Sequence, residues 1–336
     1  MASKSLAVII LNWNGLDLLR QFLPTALKFT SGEDVDLIVA DNGSTDDSVA
    51  WMESEYPDLK ILKFDKNYGF AEGYNRAIEE TKYPYTIMLN SDVEVTEGWW
   101  QPILSFLKNN KDVGAIQPKI KSFRDKKYFE YAGAAGGYLD SLGYPYCRGR
   151  LFDKVEGDEG QYDGPPADIC WASGAALGVK TDLYLSLGGL DPLFFAHMEE
   201  IDLCCRMLIA GYRVCAISDS EVYHVGGASL NQGNPKKTYL NFRNNLLLLH
   251  KNLPDSVRKG RLFKRRLLDT LAWAKFVATL DFKNAGAVWR AHRDFRRMAR
   301  EYTRHPDTNI LTSFAGADVN ILTSYYLYRR NTFSKL

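Results

Sequence analysis

The sequence predicts an α/β fold: a Rossmann-like, mostly parallel central sheet with helices on both faces, followed by a C-terminal helical extension. Two observations predict it. First, short runs of Val, Ile and Leu alternate with amphipathic segments through the first half of the chain, which is typical of buried parallel strands joined by helices. Second, a polar cluster directly follows several of these runs. Such sheets bind ligands beyond the carboxyl ends of their strands, so we expect these clusters to form the site.

The elements of the first half follow from the period of the apolar residues. The predicted strands are 6–11, 37–40, 60–64, 86–89 and 113–117, and the predicted helices are 16–29, 47–55, 71–80 and 99–109. Residues 121–163 are rich in Gly, Tyr and charged side chains. We therefore expect irregular hairpins or loops there, lying over a cleft.

The second half begins with a mixed pattern and then becomes helical. Periodicity returns at 169–179, and a helix is predicted at 199–210, with strands at 213–217 and 221–224. Apolar residues then recur at helical spacing among Arg and Lys over 237–252, 256–280 and 285–304. A boundary near Gly233 divides the chain into an N-terminal domain, 1–235, and a basic helical region, 236–336.

Composition and charge exclude several classes of protein. With 336 residues, 46% of them hydrophobic, the chain is long and apolar enough for a large core, which excludes disorder and a disulfide-stapled miniature fold. The net charge of +1 hides a division: residues 1–235 carry 21 Lys+Arg against 34 Asp+Glu, and residues 236–336 carry 21 against 7. The basic part is either a solvated helical face or a surface for an anionic partner.

Cysteines and hydropathy predict the compartment. Five cysteines, an odd number without CxxC spacing, are typical of reduced thiols in a cytosolic protein. The six apolar residues at 6–11 are too few for a signal peptide, and no stretch is apolar enough to span a bilayer. We expect a cytoplasmic protein, with attachment to the inner face of the membrane left open.

Two polar clusters follow the first two predicted strands. Asn12 and Asn14 end the first run, and Asp41 and Gly43 begin the segment DNGSTDDS after the second. A carboxylate at a strand end can accept hydrogen bonds from a nucleobase N–H or from ribose hydroxyls, and glycine permits the tight turn. The alternative is an ordinary turn and helix start that needs no ligand.

A third cluster follows the third strand and opens a helix. It contains Asn67, Gly69 and Asn75, and the backbone N–H groups of a helix start suit a diphosphate. Neither GxGxxG nor a P-loop motif occurs, so the cluster is not a dinucleotide or P-loop fingerprint. The alternative is a turn eased by glycine.

Further clusters offer metal ligands and a base. Asn90, Ser91 and Asp92 follow the fourth strand, where a carboxylate beside a diphosphate can hold a divalent cation. His224 follows a later strand and is a candidate ligand, although a lone His is more often structural. Near the start of the helix at 199–210, the acids Glu199, Glu200 and Asp202 either complement the helix dipole or supply a general base.

The order of these motifs resembles the family 2 glycosyltransferases, in particular the rhamnosyltransferase-like branch that builds bacterial surface polysaccharides. The motifs are DNGSTD from Asp41, NSD from Asn90, WASG from Trp171, GGLD from Gly188, EEIDLCCR from Glu199 and YHVGGAS from Tyr223. The resemblance covers residues 6–252 and implies that residues 1–235 are a nucleotide-sugar-binding catalytic domain. It implies a GT-A fold, a nucleotide-diphosphate sugar donor such as dTDP-rhamnose or a UDP-sugar, Mg²⁺ or Mn²⁺, and a glycan or lipid-linked acceptor.

The resemblance also implies roles for individual residues. Glu200 matches the family's base, with Glu199 as a rival and Asp202 following on the same helix; Asp92 and His224 match metal ligands. Asn90 stands at the first Asp position of the family's DxD motif. The implied nucleotide-sugar contacts are Asn12, Asn14, Asp41, Gly43, Asn67, Gly69, Asn75, Asn90, Ser91 and Arg243, and the implied acceptor contacts are Trp171, Gly174 and Arg206. Lys236 and Asn244 lie with Arg243 in a segment that is basic in the family.

Rival functions and partners remain open at this point. A sugar-phosphate nucleotidyltransferase would need a Gly-rich basic signature after the first strand, and a non-catalytic nucleotide-sugar sensor would not need the acids at 199–202. The basic region shows no nucleic-acid reader motif, so we expect no nucleic acid. Its helices either pack on the catalytic body or on a second subunit, as a homodimer, or they contact an anionic membrane.

Overall fold

The computed structural model describes residues 4–226, 233–314, 316 and 318–336. The strands are β1 (Leu6–Asn12), β2 (Val35–Asp41), β3 (Lys60–Lys63), β4 (Tyr85–Asn90), β5 (Val93–Val95), β6 (Val113–Ser122), β7 (Gly137–Leu139), β8 (Pro145–Cys147), β9 (Arg150–Leu151), β10 (Lys154–Val155), β11 (Ala167–Ile169), β12 (Ala176–Lys180) and β13 (Arg213–His224). The helices are α1 (Leu16–Phe29), α2 (Ser48–Glu55), α3 (Gly69–Thr81), α4 (Trp100–Asn109), α5 (Thr181–Ser186), α6 (Glu199–Ile209), α7 (Pro235–Asn252), α8 (Asp255–Ala278) and α9 (Phe282–Met298).

One half of the main sheet is parallel. Strands β3, β2, β1 and β4 lie side by side in that order, and every neighbouring pair among them is parallel. The register places Asn12 beside Asp41, and Leu11 beside Asn90. Strands β1, β2 and β4 are nearly continuous runs of buried apolar residues, so the sheet is covered on both faces at these strands. The polar residues that follow them therefore meet at one edge.

The other half of the main sheet mixes directions. Strand β12 is antiparallel to β4 and β6, β13 is parallel to β6, and β11 and β5 are antiparallel to β13. The α/β fold with a large central sheet is thus confirmed. The prediction of two strands at 213–217 and 221–224 is wrong, because β13 is continuous; its pairing with β6 is irregular between Ala216 and Glu221, where the polar residues 218–220 interrupt the apolar pattern.

The segment predicted as hairpins forms a small second sheet, β10-β9-β8-β7, which is antiparallel throughout. Residues near the end of the chain pack on it. The Tyr146 hydroxyl donates to the Gly316 carbonyl, and the Ser141 N–H donates to the Val319 carbonyl at 2.8 Å. The Phe333 ring contacts the rings of Tyr138, Tyr146 and Tyr162. Gly316, Val319 and Phe333 therefore pack against this small sheet.

The basic C-terminal region is helical as predicted. Helix α7 buries Leu246, Leu247, Leu248 and Leu249 in the hydrophobic core that also contains sheet residues such as Leu177. The division into domains at 235/236 stays a prediction. All five cysteines are buried, and none of them forms a disulfide in the described structure. No helix in the described part of the chain has the length and apolar character needed to cross a bilayer.

Candidate active site

Asn12 and Asp41 form a buried network at the carboxyl ends of β1 and β2. The Asn12 amide donates to Asp41 Oδ1 at 2.9 Å, to Ser48 Oγ at 3.0 Å and to Ser44 Oγ at 3.2 Å. Asp41 Oδ2 accepts the Ser44 N–H at 3.0 Å. Asp41 is only 3% exposed, so its carboxylate is held in one orientation before any ligand arrives.

The turn after β2 depends on Asn14 and Gly43. Asn14 has a positive φ of 48°, and its side-chain oxygen accepts the Thr45 N–H at 2.7 Å. Gly43 has φ of 70°, and a Cβ placed on it would lie 2.4 Å from the carbonyl carbon of Lys66. Only glycine fits this close approach of two backbone segments, which brings the loop after β2 against the loop after β3.

Asn42 joins these two loops, and the sequence analysis did not single it out. Its amide donates to Asn67 Oδ1 at 3.1 Å and to the Gly69 carbonyl at 3.0 Å, while its oxygen accepts the Tyr68 N–H at 3.0 Å. Asn67 Oδ1 also accepts the Gly69 N–H at 2.7 Å. The start of α3 is therefore bonded to these side chains, and the diphosphate contacts predicted for Asn67 and Gly69 stay a prediction.

Two other predicted contacts hold the glycine turn Gly188–Gly189. The Asn75 amide donates to the Leu190 carbonyl at 2.8 Å, and its oxygen accepts the Leu190 N–H at 2.9 Å. The Arg206 guanidinium donates to the carbonyls of Leu187 and Gly189, both at 2.6 Å. In the described structure these side chains position a loop; their contacts with donor and acceptor remain predictions.

Asp202 is a fully buried anion surrounded by donors. Its carboxylate accepts from Arg206 Nε, Lys251 Nζ and the Asn252 amide, each at 2.8 Å. Burial acts to raise the pKa of Asp202, but the charges of Arg206 and Lys251 outweigh it and the pKa falls below its usual value. Asp202 therefore anchors α6 to α7, and its geometry does not suit the predicted catalytic role because these donors surround the carboxylate.

The loop before α6 has strained backbone. Phe195, His197 and Met198 have φ of 67°, 67° and 72°. Residues other than glycine rarely adopt such values, at a cost of about 1–3 kcal/mol each. Three of them within four residues require that the surrounding structure impose this conformation.

Two α7 side chains bind this loop. The Asn244 amide donates to the carbonyls of Phe194 and Ala196 at 2.9 Å and of His197 at 2.7 Å. The Arg243 guanidinium donates to the Phe194 carbonyl at 2.7 Å. Both side chains are buried. Arg243 is thus occupied with the loop, and the nucleotide contact predicted for it stays a prediction.

The loop delivers Glu199 and Glu200 at the start of α6. Glu199 is 4% exposed and Glu200 is half-buried, and one carboxylate oxygen of each has no partner among the described residues. Burial raises the pKa of Glu199 well above its usual value, with the charge of Glu200 adding to the rise. Burial raises the pKa of Glu200 to about 7, although backbone N–H groups at the helix start oppose the rise.

The predicted acceptor contacts differ in position. A Cβ placed on Gly174 would lie 3.9 Å from Glu200 Cβ and 3.5 Å from the Phe70 ring, so Gly174 borders the candidate base. Trp171 is only 3% exposed, and its indole N–H donates to the Tyr138 carbonyl at 2.9 Å. Trp171 has the contacts of a core residue, which does not suit direct contact with an acceptor.

Asp92 and His224 are brought together from separate strands. His224 Nε2 lies 3.1 Å from Asp92 Oδ1, and His224 Nδ1 lies 3.6 Å from Glu130 Oε1. Burial lowers the pKa of His224, but the nearby carboxylates of Asp92 and Glu130 outweigh this and raise it to about 10. Glu130 lies in 121–163, and no motif there indicated it. Gly227 to Ser229 of the YHVGGAS motif lie outside the described residues.

The Asp92–His224 pair fits a divalent cation. It offers one carboxylate and one imidazole, both suitable ligands, and a ring nitrogen of His224 has no hydrogen-bond partner among the described residues. Asn90 and Ser91 are half-buried beside it. In residues 4–226, 233–314, 316 and 318–336 there is no group of three or more His, Cys, Asp or Glu side chains placed to hold a metal, so further ligands would have to come from a diphosphate or water.

The two halves of the site are linked through the main sheet. The Asn90 N–H donates to the Ala175 carbonyl at 3.0 Å, so the metal-binding candidates lie beside the segment that borders Glu200. The arrangement places a candidate base and a candidate cation site near the sheet edge where the polar strand-end residues lie. Residues 7–160 match the profile described as Glycosyl transferase family 2. The first half of the chain is therefore similar to glycosyltransferase family 2.

Two of the curated relatives are named as bacterial rhamnosyltransferases. The chain is 27% identical over 229 residues to an N-acetylglucosaminyl-diphospho-decaprenol L-rhamnosyltransferase of Mycobacterium tuberculosis, covering 61% of this chain and 71% of the relative. It is 24% identical over 156 residues to the rhamnosyltransferase WbbL of Escherichia coli, covering 44% of this chain and 57% of the relative. These relatives agree with the rhamnosyltransferase-like branch.

Solved structures share the fold. The first 349 residues of S. aureus TarS, in complex with UDP-GlcNAc, superpose with a TM-score of 0.57 at 15% identity, covering 88% of this chain and 82% of that one. GalNAc-T7 with UDP, GalNAc and Mn²⁺ gives a TM-score of 0.58 at 14% identity, covering 76% of this chain and 49% of that one. The chain thus spans about half the length of GalNAc-T7. At these identities the likeness shows the fold alone, which is GT-A.

Proposed function

We propose that the chain transfers a sugar from a nucleotide-diphosphate donor to an acceptor hydroxyl with inversion at the anomeric carbon. One observation carries the proposal: Glu200, half-buried with a carboxylate oxygen free of partners, borders a segment bonded to the strand end that bears Asp92. A base and a candidate cation site therefore share one sheet edge. The similarity to family 2 glycosyltransferases supports the reaction class, and the geometry supports the roles of the residues.

Glu200 would act as the general base. It takes the proton of the acceptor hydroxyl while that oxygen attacks the anomeric carbon, and the bond to the diphosphate oxygen breaks with its electron pair remaining on the diphosphate. A pKa raised by burial to about 7 suits a group that accepts a proton near neutral pH. Glu199 is the weaker candidate because it is more deeply buried and its pKa is raised well above the usual value.

Asp92 and His224 would hold Mg²⁺ or Mn²⁺, with Asn90 as a neutral oxygen ligand. The ion would supply positive charge that offsets the negative charge of the departing diphosphate. Two of the solved relatives contain Mn²⁺, which supports metal dependence. Asp41, held by Asn12, would accept hydrogen bonds from the nucleoside.

The relatives support particular partners. Their names indicate rhamnosyl transfer to a lipid-linked sugar, so a dTDP-rhamnose or UDP-sugar donor and a lipid-linked glycan acceptor in surface polysaccharide synthesis are proposed here. Action at the inner face of the cell membrane follows from such an acceptor. Self-association as a homodimer stays a proposal without a supporting contact.

The test compares Glu200→Gln with Glu199→Gln. Release of nucleoside diphosphate is measured across a panel of nucleotide sugars, with acceptor, and donor binding is followed by thermal shift. We expect Glu200→Gln to lower turnover by about 10²–10⁴-fold while donor binding persists, and Glu199→Gln to retain much more activity. In the wild type, turnover should fall as pH drops below about 7, because Glu200 becomes protonated.

Glu97→Gln, at an exposed position, controls for the substitution itself. Near-normal turnover by Glu200→Gln would remove Glu200 from the mechanism. Loss in Glu199→Gln alone would transfer the role to Glu199.

A further inference from the structure

The outer side of α8 carries apolar side chains that cover nothing in the described structure. Phe263, Leu267 and Leu271 are 71%, 57% and 62% exposed, and Ala274 and Ala278 are exposed as well. These five residues, here named the α8 stripe, follow one another at steps of four, four, three and four. At about 100° per residue they fall within about 80° of one another around the helix axis.

The opposite side of α8 packs on the protein and sets the helix orientation. Arg265 and Asp269 are buried and paired at 3.4 Å, and the Arg265 guanidinium lies 3.5 Å from the centroid of the Tyr144 ring. His292 of α9 binds Asp269 at 3.1 Å. Because these groups are held in place, the α8 stripe is directed away from the body.

Basic residues border the α8 stripe on both sides. Lys264 and Lys275 lie on one side, and Lys259 and Arg266 on the other, at the positions that the helical period gives them. None of these four forms an ion pair in the described part of the chain. The acids of α8 are the buried Asp269 and Asp255 at its first turn, so the outer side presents apolar atoms between two rows of positive charge.

This pattern fits an anionic lipid surface better than a second copy of the chain. An apolar strip between Lys and Arg places aliphatic and aromatic groups among acyl chains and the cations among phosphates. A two-fold contact between the α8 helices of two copies would bring the basic rows of one against those of the other. The helix is 24 residues long, but its charges prevent it from spanning a bilayer. It would therefore lie in the plane of the surface.

The turn between α8 and α9 extends the apolar surface. Leu280 and Phe282 are 74% and 64% exposed. We propose that the α8 stripe and its basic borders bind the headgroup region of an anionic membrane. The inference deepens the proposed function. It rests on that function only for the reason why the chain would bind a membrane, which is that a lipid-linked acceptor would lie there.

The test measures co-sedimentation of the full chain with vesicles of phosphatidylcholine, alone or mixed with phosphatidylglycerol, at low and high salt. We expect binding that requires phosphatidylglycerol and weakens with salt. The triple variant Phe263→Ser, Leu267→Ser, Leu271→Ser should lose binding by about tenfold or more, and Lys264→Glu with Lys275→Glu likewise.

The matched control is Tyr326→Ser, Leu327→Ser, Tyr328→Ser, three exposed apolar residues near Arg329 and Arg330 in another part of the chain. It should bind vesicles like the wild type. Equal losses in both triple variants would overturn the assignment to α8, as would binding indifferent to lipid charge. Light scattering that shows a dimer broken only by the α8 variant would assign the stripe to a second copy.

The experiment separates this inference from the proposed function. The α8 variants should release nucleoside diphosphate normally with a water-soluble acceptor and should keep the wild-type melting temperature, because the substituted side chains are exposed. Vesicle binding by a chain that transfers no sugar would leave the inference standing and contradict the proposed function.

Discussion

The strand-end network around Asp41 and the loop before α6 both contribute to the candidate site, and they are built differently. Around Asp41 the register of β1 and β2 brings Asn12 close, and hydrogen bonds from Asn12 and Ser44 hold the carboxylate, with Asn12 Oδ1 left without a partner among the described residues. Around Glu200 the backbone is strained, carboxylate oxygens lack partners and the loop is bound by side chains from α7. The carboxylate of a binding residue can be fixed in advance by neighbouring side chains. A general base must keep one oxygen open for the substrate, so other parts of the structure have to hold it in position.

Among the changes that test this comparison, the largest loss of turnover is expected for Asp92, which follows β4 at the strand ends. Asp92→Ala removes the carboxylate of the candidate cation site, and we expect turnover to fall at least about 10²-fold, because charge stabilisation at a leaving group contributes several kcal/mol. Donor binding measured by thermal shift should also lose its response to Mn²⁺. Asp58→Ala, at an exposed position, is the control. A retained Mn²⁺ response would exclude Asp92 as a ligand.

An intermediate effect is expected when the loop loses its support. Asn244→Ala deletes the amide that binds three carbonyls of the loop, so the base shifts relative to the acceptor. We expect kcat to fall by about 10–100-fold. The donor KM should be nearly unchanged because the strand-end network around Asp41 is intact. Steady-state kinetics with both substrates varied give the two constants.

Asn245→Ala is the matched control for this variant. Asn245 is equally buried on α7, but its amide binds the Gly143 carbonyl at 2.7 Å, in the small sheet. Both variants should lose stability, and only Asn244→Ala should lose kcat out of proportion. Similar kcat in the two would show that Asn244 acts on stability alone.

The smallest effect concerns stability and pH. Glu199 has a raised pKa in the folded state, so the folded form holds its proton more tightly than the unfolded form. Stability is therefore lost as pH rises from the usual Glu pKa towards the raised value. Glu199→Gln stays neutral and avoids this loss. We expect its melting temperature to exceed that of the wild type by at least about 2 °C at pH 8, and by less at pH 5.

Melting curves at the two pH values, with the exposed Glu97→Gln as reference, check this. A gain of the same size at both values would show that the effect is one of packing rather than ionisation.

Sequence patterns predict the strand-end side better than the loop side. The fold and the positions of α1 to α4 follow from local periodicity, and parallel register then brings Asn12, Asp41 and Asn90 to one edge. The same reasoning divided β13, because residues 218–220 are polar although the strand continues through them. The apolar pattern of a segment indicates whether it is buried, but it does not reveal that the pairing of β13 with β6 is irregular at these polar residues.

Long-range contacts account for the residues that sequence reasoning did not find. Glu130 lies in a segment without a motif, and it faces His224 only because the turn after β6 folds back on the sheet. Asn244 was noted only as part of a basic segment, and its three loop carbonyls lie nearly 50 residues earlier in the chain. The core position of Trp171 likewise depends on its packing with β7. None of these contacts can be recognised from the spacing of residues along the sequence.

The packing of the chain's last residues on the small sheet has a consequence for biosynthesis. Asp140 receives the Ile321 N–H, and Glu156 receives the Phe333 N–H, each across more than 170 residues of sequence. A ribosome that has completed the main sheet has not yet made these donors. The nascent chain therefore exposes the aromatic face of β7 and β8 until these residues have been synthesised, and an apolar surface left uncovered in this way is prone to aggregation.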